Sequence, residues 1–542
     1  MLPLRTGWIA VVALATLSAC GTDSSTSSVA STNARGTLAV SPPFRIASLS
    51  SADLQAELSA SAAGQQLLQL TGTPACGVDF YYLQFWTRGA AGETTQSSGA
   101  MMVPTGAAPA CSGGRPFLLY AHATQTNQQM NIADITNPAN TEGALIAAMF
   151  AAQGYITVAP NYAGYDISTL GYHPFLDASQ QSGEMLDILA AARSALPHTF
   201  AAATSDNGQL FVTGYSEGGH VALATLEALE AAGMPVTAAA GMSGPYAMEA
   251  FGDAITFGAV NLGATAFFPL LATSYQHAYG NVYTTPGDIY SSTYASGTDT
   301  LLPSTTPLST LFATGKLPQT ALFDSTTPVV TVPGNATLSA ALTAALAVPP
   351  ANSSPQAPLF DLGFGNPYLL NNSLRTNWAL DAAADPDGED TPLTGKPASP
   401  ALAAAPPSYP LRKDFYLNDM RHVFGALLPS APLLLCGAEN DPTVFFSVNT
   451  GTMVSYWNAL VGIGALTELD VDPAGGPSGP FQQIQAAFQG SQAQELAVLQ
   501  TPAGGGLTAA QAQQQLVQNY HGAVAPFCSL AVRTFFSHFA QG

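Results

Sequence analysis

The sequence predicts an α/β fold: a mostly parallel sheet flanked by helices and interrupted by a large, mainly helical insertion. Three observations predict it. Short apolar runs alternate with helical patterns through the first half of the chain, the signature of strand–helix–strand crossovers. The apolar run 209–213 leads into Gly214-Tyr215-Ser216-Glu217-Gly218 and then a helical apolar pattern over 221–229. The alternation then stops at about residue 250 and resumes at about 430.

Taken in order, 78–87 and 99–103 read as an opening antiparallel pair. The runs 116–121 and 155–159 are short, apolar and bounded by turn residues, as buried parallel strands are. Helical patterns over 144–152 and 185–193 separate these strands from one another and from the strand at 209–213. After the helix at 221–229, the run 236–240 is the next strand. From 250 to 429 the chain is rich in Pro, Thr, Ser and Ala, with apolar helical candidates at 257–278 and 338–348. A structureless loop of that length is improbable inside a compact domain, so it reads as a helical cap. Strands resume at 432–436 and 465–471, a polar helical stretch covers 481–519, and an apolar helix at 523–539 ends the fold. The domain reading is therefore 46–249 and 430–542 for the two parts of the sheet domain and 250–429 for the cap.

The N-terminus reads as a targeting segment. Residues 1–19 combine Arg5, an apolar run over 8–17 and Leu17-Ser18-Ala19, and they end at Cys20. That tetrapeptide has the form of a bacterial lipobox, in which Cys20 is acylated and anchors the protein to a membrane surface. With Gly21 after the cysteine, the expected location is the cell envelope, the outer membrane favoured, or the exterior. Residues 20–45 read as a tether.

Composition bounds the function. Hydrophobic residues make up 47% of the 542-residue chain and charged residues only 9%, against roughly 25% in an average soluble protein. A net charge of −21 argues against a nucleic-acid partner, whose phosphates it would repel. Setting Cys20 aside leaves Cys76, Cys111, Cys436 and Cys528, an even number in an exported chain. Of the three possible connectivities, Cys76–Cys111 and Cys436–Cys528 is preferred because each pair lies within one part of the chain. No Cys/His cluster has zinc-ligand spacing, and no cofactor is expected.

Strand, Gly-x-Ser-x-Gly and helix in that order form a nucleophile elbow, which lifts the Ser216 hydroxyl clear of the sheet. Acyl transfer by serine needs a base, an acid to orient it and donors for the oxyanion. On this kind of scaffold the acid follows a later strand and the histidine comes last. Asp441, 225 residues after Ser216, follows the strand at 432–436; Glu439, Asp470 and Asp472 compete. His521, placed in a Gly-flanked loop before the last helix, is the expected base. His538 suits a helix end, and His220 suits packing beneath the elbow. The oxyanion donors are expected to be the N–H of Glu217 and that of Ala123, with Thr124 as the alternative. His122 either shapes that loop or is purely structural.

Several motifs occur in order over most of the mature chain. They are Cys76-Gly-Val, the loop ending His122-Ala-Thr124, Ala159-Pro-Asn161-Tyr-Ala-Gly-Tyr165, His173-Pro-Phe-Leu176, the elbow, Cys436-Gly-x-x-x-Asp441 and Tyr520-His-Gly522. Together they resemble the secretory lipase (lipase A-like) family of α/β-hydrolases. The resemblance implies a serine carboxylester hydrolase acting on apolar acyl esters or acylglycerols, with a helical cap forming an acyl tunnel. Asn161 stands where such relatives often carry Asp, and Ala123 where they often carry Gly. Two other readings stay open. One is a serine peptidase or amidase, for which Asp381, Asp385, Asp387, Glu389 and Asp390 would grip an amino group. The other is a surface lipoprotein that binds without catalysis.

Overall fold

The structure, a computed structural model, describes residues 33–540 except 136, 138–139, 202, 351–355, 388–401 and 403–405. The targeting segment and Cys20 lie outside the described residues. So do Glu389 and Asp390.

Nine strands form one sheet. In chain order they are β1 (Phe44–Leu49), β2 (Gly77–Arg88), β3 (Thr94–Thr105), β4 (Gly113–Ala121), β5 (Ile156–Pro160), β6 (Thr204–Tyr215), β7 (Ala238–Met242), β8 (Leu433–Gly437) and β9 (Leu466–Asp470). Their spatial order is β1-β2-β3-β5-β4-β6-β7-β8-β9. The first three strands pair antiparallel, β3 runs antiparallel to β5, and every pair from β5 to β9 is parallel. Strands β5, β7 and β8 are buried at every residue, because helices cover both faces of a parallel sheet. Each fully buried leucine of Leu433–Leu435 then contributes about 1.5–3 kcal/mol by leaving water.

Crossover helices Thr141–Met149, Ala178–Ala195 and Glu217–Ala231 connect the parallel strands. Two further helices, Ser51–Ser59 and Ala62–Thr71, precede β2 and have no counterpart in the apolar pattern. Residues 33–45 were expected to continue the tether, and this is corrected. Arg35 pairs with Asp187 at 3.0 Å, the Gly36 and Ala39 amides donate to the Trp86 and Gln84 carbonyls, and β1 already starts at Phe44.

Between β7 and β8 the chain leaves the sheet for helices, among them Met248–Thr256, Ala264–Tyr279, Ala336–Ala345, Asn372–Ala384 and Pro410–Leu417. The helix expected at 257–278 starts only at Ala264, because Gly258 and Gly263 take positive φ (118° and 87°) and separate it from the helix Met248–Thr256. All of these helices but Ala336–Ala345 share a second apolar core around Leu270, Tyr275, Leu374 and Trp378; Leu342 of Ala336–Ala345 packs in a smaller cluster with Val330 and Ala379.

The last helix differs most from expectation. It runs unbroken over Ala509–Ser537, so His521 sits within a helix and not in a loop before one. The break falls instead between Gln482–Gln500 and Ala509, at Thr501-Pro502 and the glycines 504–506, and the new helix starts on a Thr508–Gln511 capping box. Gly522 weakens a helix by only about 1 kcal/mol. Packing of Phe488 against Tyr520 and Phe527 offsets that cost. Cys76 is bonded to Cys111 and Cys436 to Cys528, the preferred pairing; the second bridge ties β8 to the His521 helix. Among the described residues, no helix is long and apolar enough to cross a membrane.

Candidate active site

The elbow is built by the closest approach of three backbones. Ser216 joins β6 to the helix Glu217–Ala231 with φ 57° and ψ −119°, a conformation non-glycine residues rarely adopt. Its N–H donates to the Met242 carbonyl at the end of β7 (2.9 Å). A Cβ on Gly218 would lie 1.9 Å from the Ala121 carbonyl oxygen, and one on Gly214 would lie 2.1 Å from the Gly218 carbonyl oxygen. No other residue fits at either position, which is why the motif needs both glycines.

Three distant side chains meet here. His521 Nε2 is 2.8 Å from Ser216 Oγ, and His521 Nδ1 is 2.6 Å from Asp441 Oδ2. A carboxylate only accepts, so Nδ1 carries the ring proton and the Nε2 lone pair faces the serine hydroxyl. Asp441 is buried at the C-terminal end of β8, and its other oxygen accepts the N–H groups of Thr443 (2.9 Å) and Val444 (3.2 Å). The Tyr215 hydroxyl donates to the His521 carbonyl and anchors the helix turn that carries the ring.

The competitors are occupied elsewhere. Glu439 accepts from the Ala474 amide, Asp470 from the Glu439 and Asp472 amides, and Asp472 from the Tyr520 hydroxyl. His220 is buried, with Nε2 2.8 Å from the Asn418 carbonyl oxygen, and burial lowers its pKa. His538 is exposed at the end of the last helix.

One expected oxyanion donor is displaced. The Ala123 N–H donates to both Glu142 oxygens (3.0 and 3.2 Å) and is not free for a ligand. Thr124, the alternative, lines the same cavity as Ser216 and Glu217. The Glu217 N–H opens the elbow helix, where no preceding turn supplies it with a carbonyl. Its side chain is turned inward, accepting from Gln181 (2.6 Å) and bonded to His173 Nε2 (2.7 Å). Burial pushes the Glu217 carboxyl up, but His173, His122 and Gln181 bring it below the usual carboxylate range. Nothing in the motif spacing pointed to Glu142, Tyr215 or His173 in these positions. A lone glutamate at the start of an apolar helix carries no signal of what it reaches.

The cavity in front of Ser216 is walled mainly by apolar side chains, including Phe175, Met248, Phe251, Phe267 and Leu271. The insertion helices Met248–Thr256 and Ala264–Tyr279 supply seven of its eighteen lining residues. Among the described residues, no group of three or more His, Cys, Asp or Glu is placed to hold a metal ion. A hydroxyl, an imidazole and a carboxylate in one hydrogen-bonded line can pass the hydroxyl proton to the ring as oxygen attacks an electrophilic carbon.

Comparison with known proteins agrees at the level of architecture. No protein-family model matches the chain, and no curated protein matches it by sequence. Among solved structures, the rice cell wall degrading esterase LipA from Xanthomonas oryzae aligns with a TM-score of 0.64 at 21% identity, covering 94% of this chain and 100% of that one. A proposed hydrolase from Legionella pneumophila aligns with a TM-score of 0.57 at 17% identity, covering 92% and 97%. At such identities the likeness carries the fold and nothing finer: this chain has the α/β-hydrolase fold, in the form it takes in LipA, with a helical insertion between β7 and β8.

Proposed function

We propose that the chain is a serine carboxylester hydrolase that cleaves apolar acyl esters or acylglycerols. The observation that carries this reading is the line Asp441–His521–Ser216 opening onto an apolar cavity. His521 takes the proton as Ser216 Oγ attacks the ester carbonyl, Asp441 stabilises the imidazolium, and the Glu217 and Thr124 amides receive the oxyanion. The leaving alcohol collects the proton from Nε2, and water then releases the acyl group by the reverse roles of the same three side chains. The acyl chain lies among Phe175, Phe251, Phe267 and Leu271, all apolar.

Two of the carboxylates that the amidase reading would use are taken. Asp381 and Asp387 are already bonded to Arg412 (3.3 Å) and Arg421 (2.8 Å). Rates on p-nitrophenyl esters from acetate to palmitate, set against aminoacyl-anilides, test the assignment. Esters with medium or long acyl chains are expected to turn over fastest; faster anilide turnover would overturn it.

The two disulfides fit an exported protein, since the cytoplasm keeps thiols reduced. Acylation of Cys20, with attachment at the envelope surface, and the division into a sheet domain with a 250–429 cap belong to the same proposal.

A further inference from the structure

One buried glutamate that the hydrolytic cycle leaves unused lies directly behind the loop carrying Thr124. Glu142 stands in the first turn of the helix Thr141–Met149. Its carboxyl receives the Tyr120 hydroxyl from the end of β4 (2.8 Å) and, through both oxygens, the Ala123 N–H. On the other side of Ala123, the Ala123 carbonyl accepts from His122 Nδ1 at 2.7 Å. Both ring nitrogens face carbonyls, which cannot donate; Nδ1 makes the much shorter contact, Nε2 lying 3.3 Å from the Asn161 oxygen, so Nδ1 carries the proton of the neutral ring. The His122 ring cannot swing away, being fully buried with its centroid 4.1 Å from that of Tyr162.

These bonds fix a peptide plane. The Ala123 carbonyl and the Thr124 N–H belong to one planar trans unit and point in opposite directions. With the carbonyl held against the buried His122 ring, the Thr124 N–H is aimed away from that ring. Thr124 lines the cavity with Ser216 and Glu217, and among the described residues no protein group accepts its N–H. The preceding N–H, that of Ala123, is held in the reverse sense by Glu142.

We propose that Glu142 and His122 are positioning residues: together they lock the Ala123–Thr124 peptide so that the Thr124 amide, and not that of Ala123, faces the oxyanion. The proposal rests on the ester-hydrolase reading. It also explains how an alanine serves at position 123, since the residue there gives its amide to the scaffold and need not approach the substrate.

The test separates positioning from bulk stability. In Glu142→Ala the Ala123 amide loses its acceptor, and kcat on p-nitrophenyl butyrate is expected to fall roughly 10- to 100-fold, a partial loss of one oxyanion donor. KM should stay within about threefold, because ground-state binding is untouched. A trifluoromethyl ketone with the same acyl chain forms an adduct whose oxyanion occupies the same place. Its affinity should weaken by the factor lost from kcat/KM, while a matched ether that forms no adduct should bind as before. Glu142→Gln keeps an oxygen for both donors and should recover most of the lost kcat. If Glu142→Ala does not fold, Glu142→Asp carries the test: it remains a buried carboxyl but is one methylene short of the amide, and the same kcat loss is expected. A folded Glu142→Asp or Glu142→Ala protein with wild-type kcat overturns the proposal, as does an equal loss of affinity for ketone and ether. A wild type without ester turnover overturns the hydrolase reading and this proposal with it.

Discussion

The sheet domain and the insertion between β7 and β8 bury their interiors by different means. The sheet domain is held by one large apolar core, and the candidate site lies at the C-terminal ends of β6 and β8. The insertion adds a smaller apolar core and then a buried cluster of charge. Arg412 meets Glu249 (2.8 Å), Asp253 (2.9 Å) and Asp381 (3.3 Å); Arg421 meets Asp387 (2.8 Å) and Asp419 (2.7 Å). Five carboxyls thus surround two guanidiniums, with one Glu249 oxygen lacking a partner, so neutrality requires bound protons. Burial, joined by repulsion from Asp387, pushes the Glu249 carboxyl up, and burial does the same to Asp387. The contrast predicts a division of labour: the first region should lose chemistry without losing its fold, whereas the second, which holds Met248 and Phe251 against the cavity, should fail as structure.

Mutation can break that comparison, and the largest effect is expected at the site. His521→Ala should lower kcat by roughly four to six orders of magnitude, and Asp441→Asn by about four, with unfolding midpoints close to wild type. If either variant unfolds in parallel with its loss of activity, the two regions are not separable.

A smaller but structural effect is expected from Arg412→Ala, which strands Glu249 and Asp253. Breaking a buried pair in this way costs about 3–5 kcal/mol, read as a lower denaturation midpoint. Activity should fall only as far as the protein unfolds or the cavity wall loosens.

The smallest effect sharpens the comparison through pH. Glu249 and Asp387 keep protons in the folded chain that the unfolded chain has released, and Glu142 is raised to about 7 by burial. Stability contributed by such groups is present below their unfolded values and falls as pH rises towards the folded ones. The slope is about 1.4 kcal/mol per pH unit for each group in that interval. The melting temperature should therefore decline from pH 5 to pH 9, and Glu249→Gln should flatten the decline. A melting temperature that rises across this range would contradict the charge account of the insertion.

The same contrast explains what the sequence could show. Ser216, Asp441 and His521 were legible because chain order, strand ends and the elbow glycines restrict where such groups sit. The strands were legible because buried parallel strands read as short apolar runs. The secondary structure around His521 was not, since Tyr520-His-Gly522 looks like a turn locally, while Phe488, Tyr215 and the Cys436–Cys528 bridge hold it helical. The engagement of the Ala123 amide was equally hidden, because it depends on a glutamate 19 residues further along the chain. Asp387 reads as part of a solvated loop, yet it is buried against Arg421, 34 residues further along the chain, and Asp381 is held by Arg412, 31 residues away.

The most direct test of the central claim is covalent labelling. Treated with a fluorophosphonate and mapped by mass spectrometry, the folded wild-type protein should carry one adduct, on Ser216, and His521→Ala should carry almost none. A folded wild type that stays unlabelled, or one labelled equally without His521, would contradict an activated serine at this site.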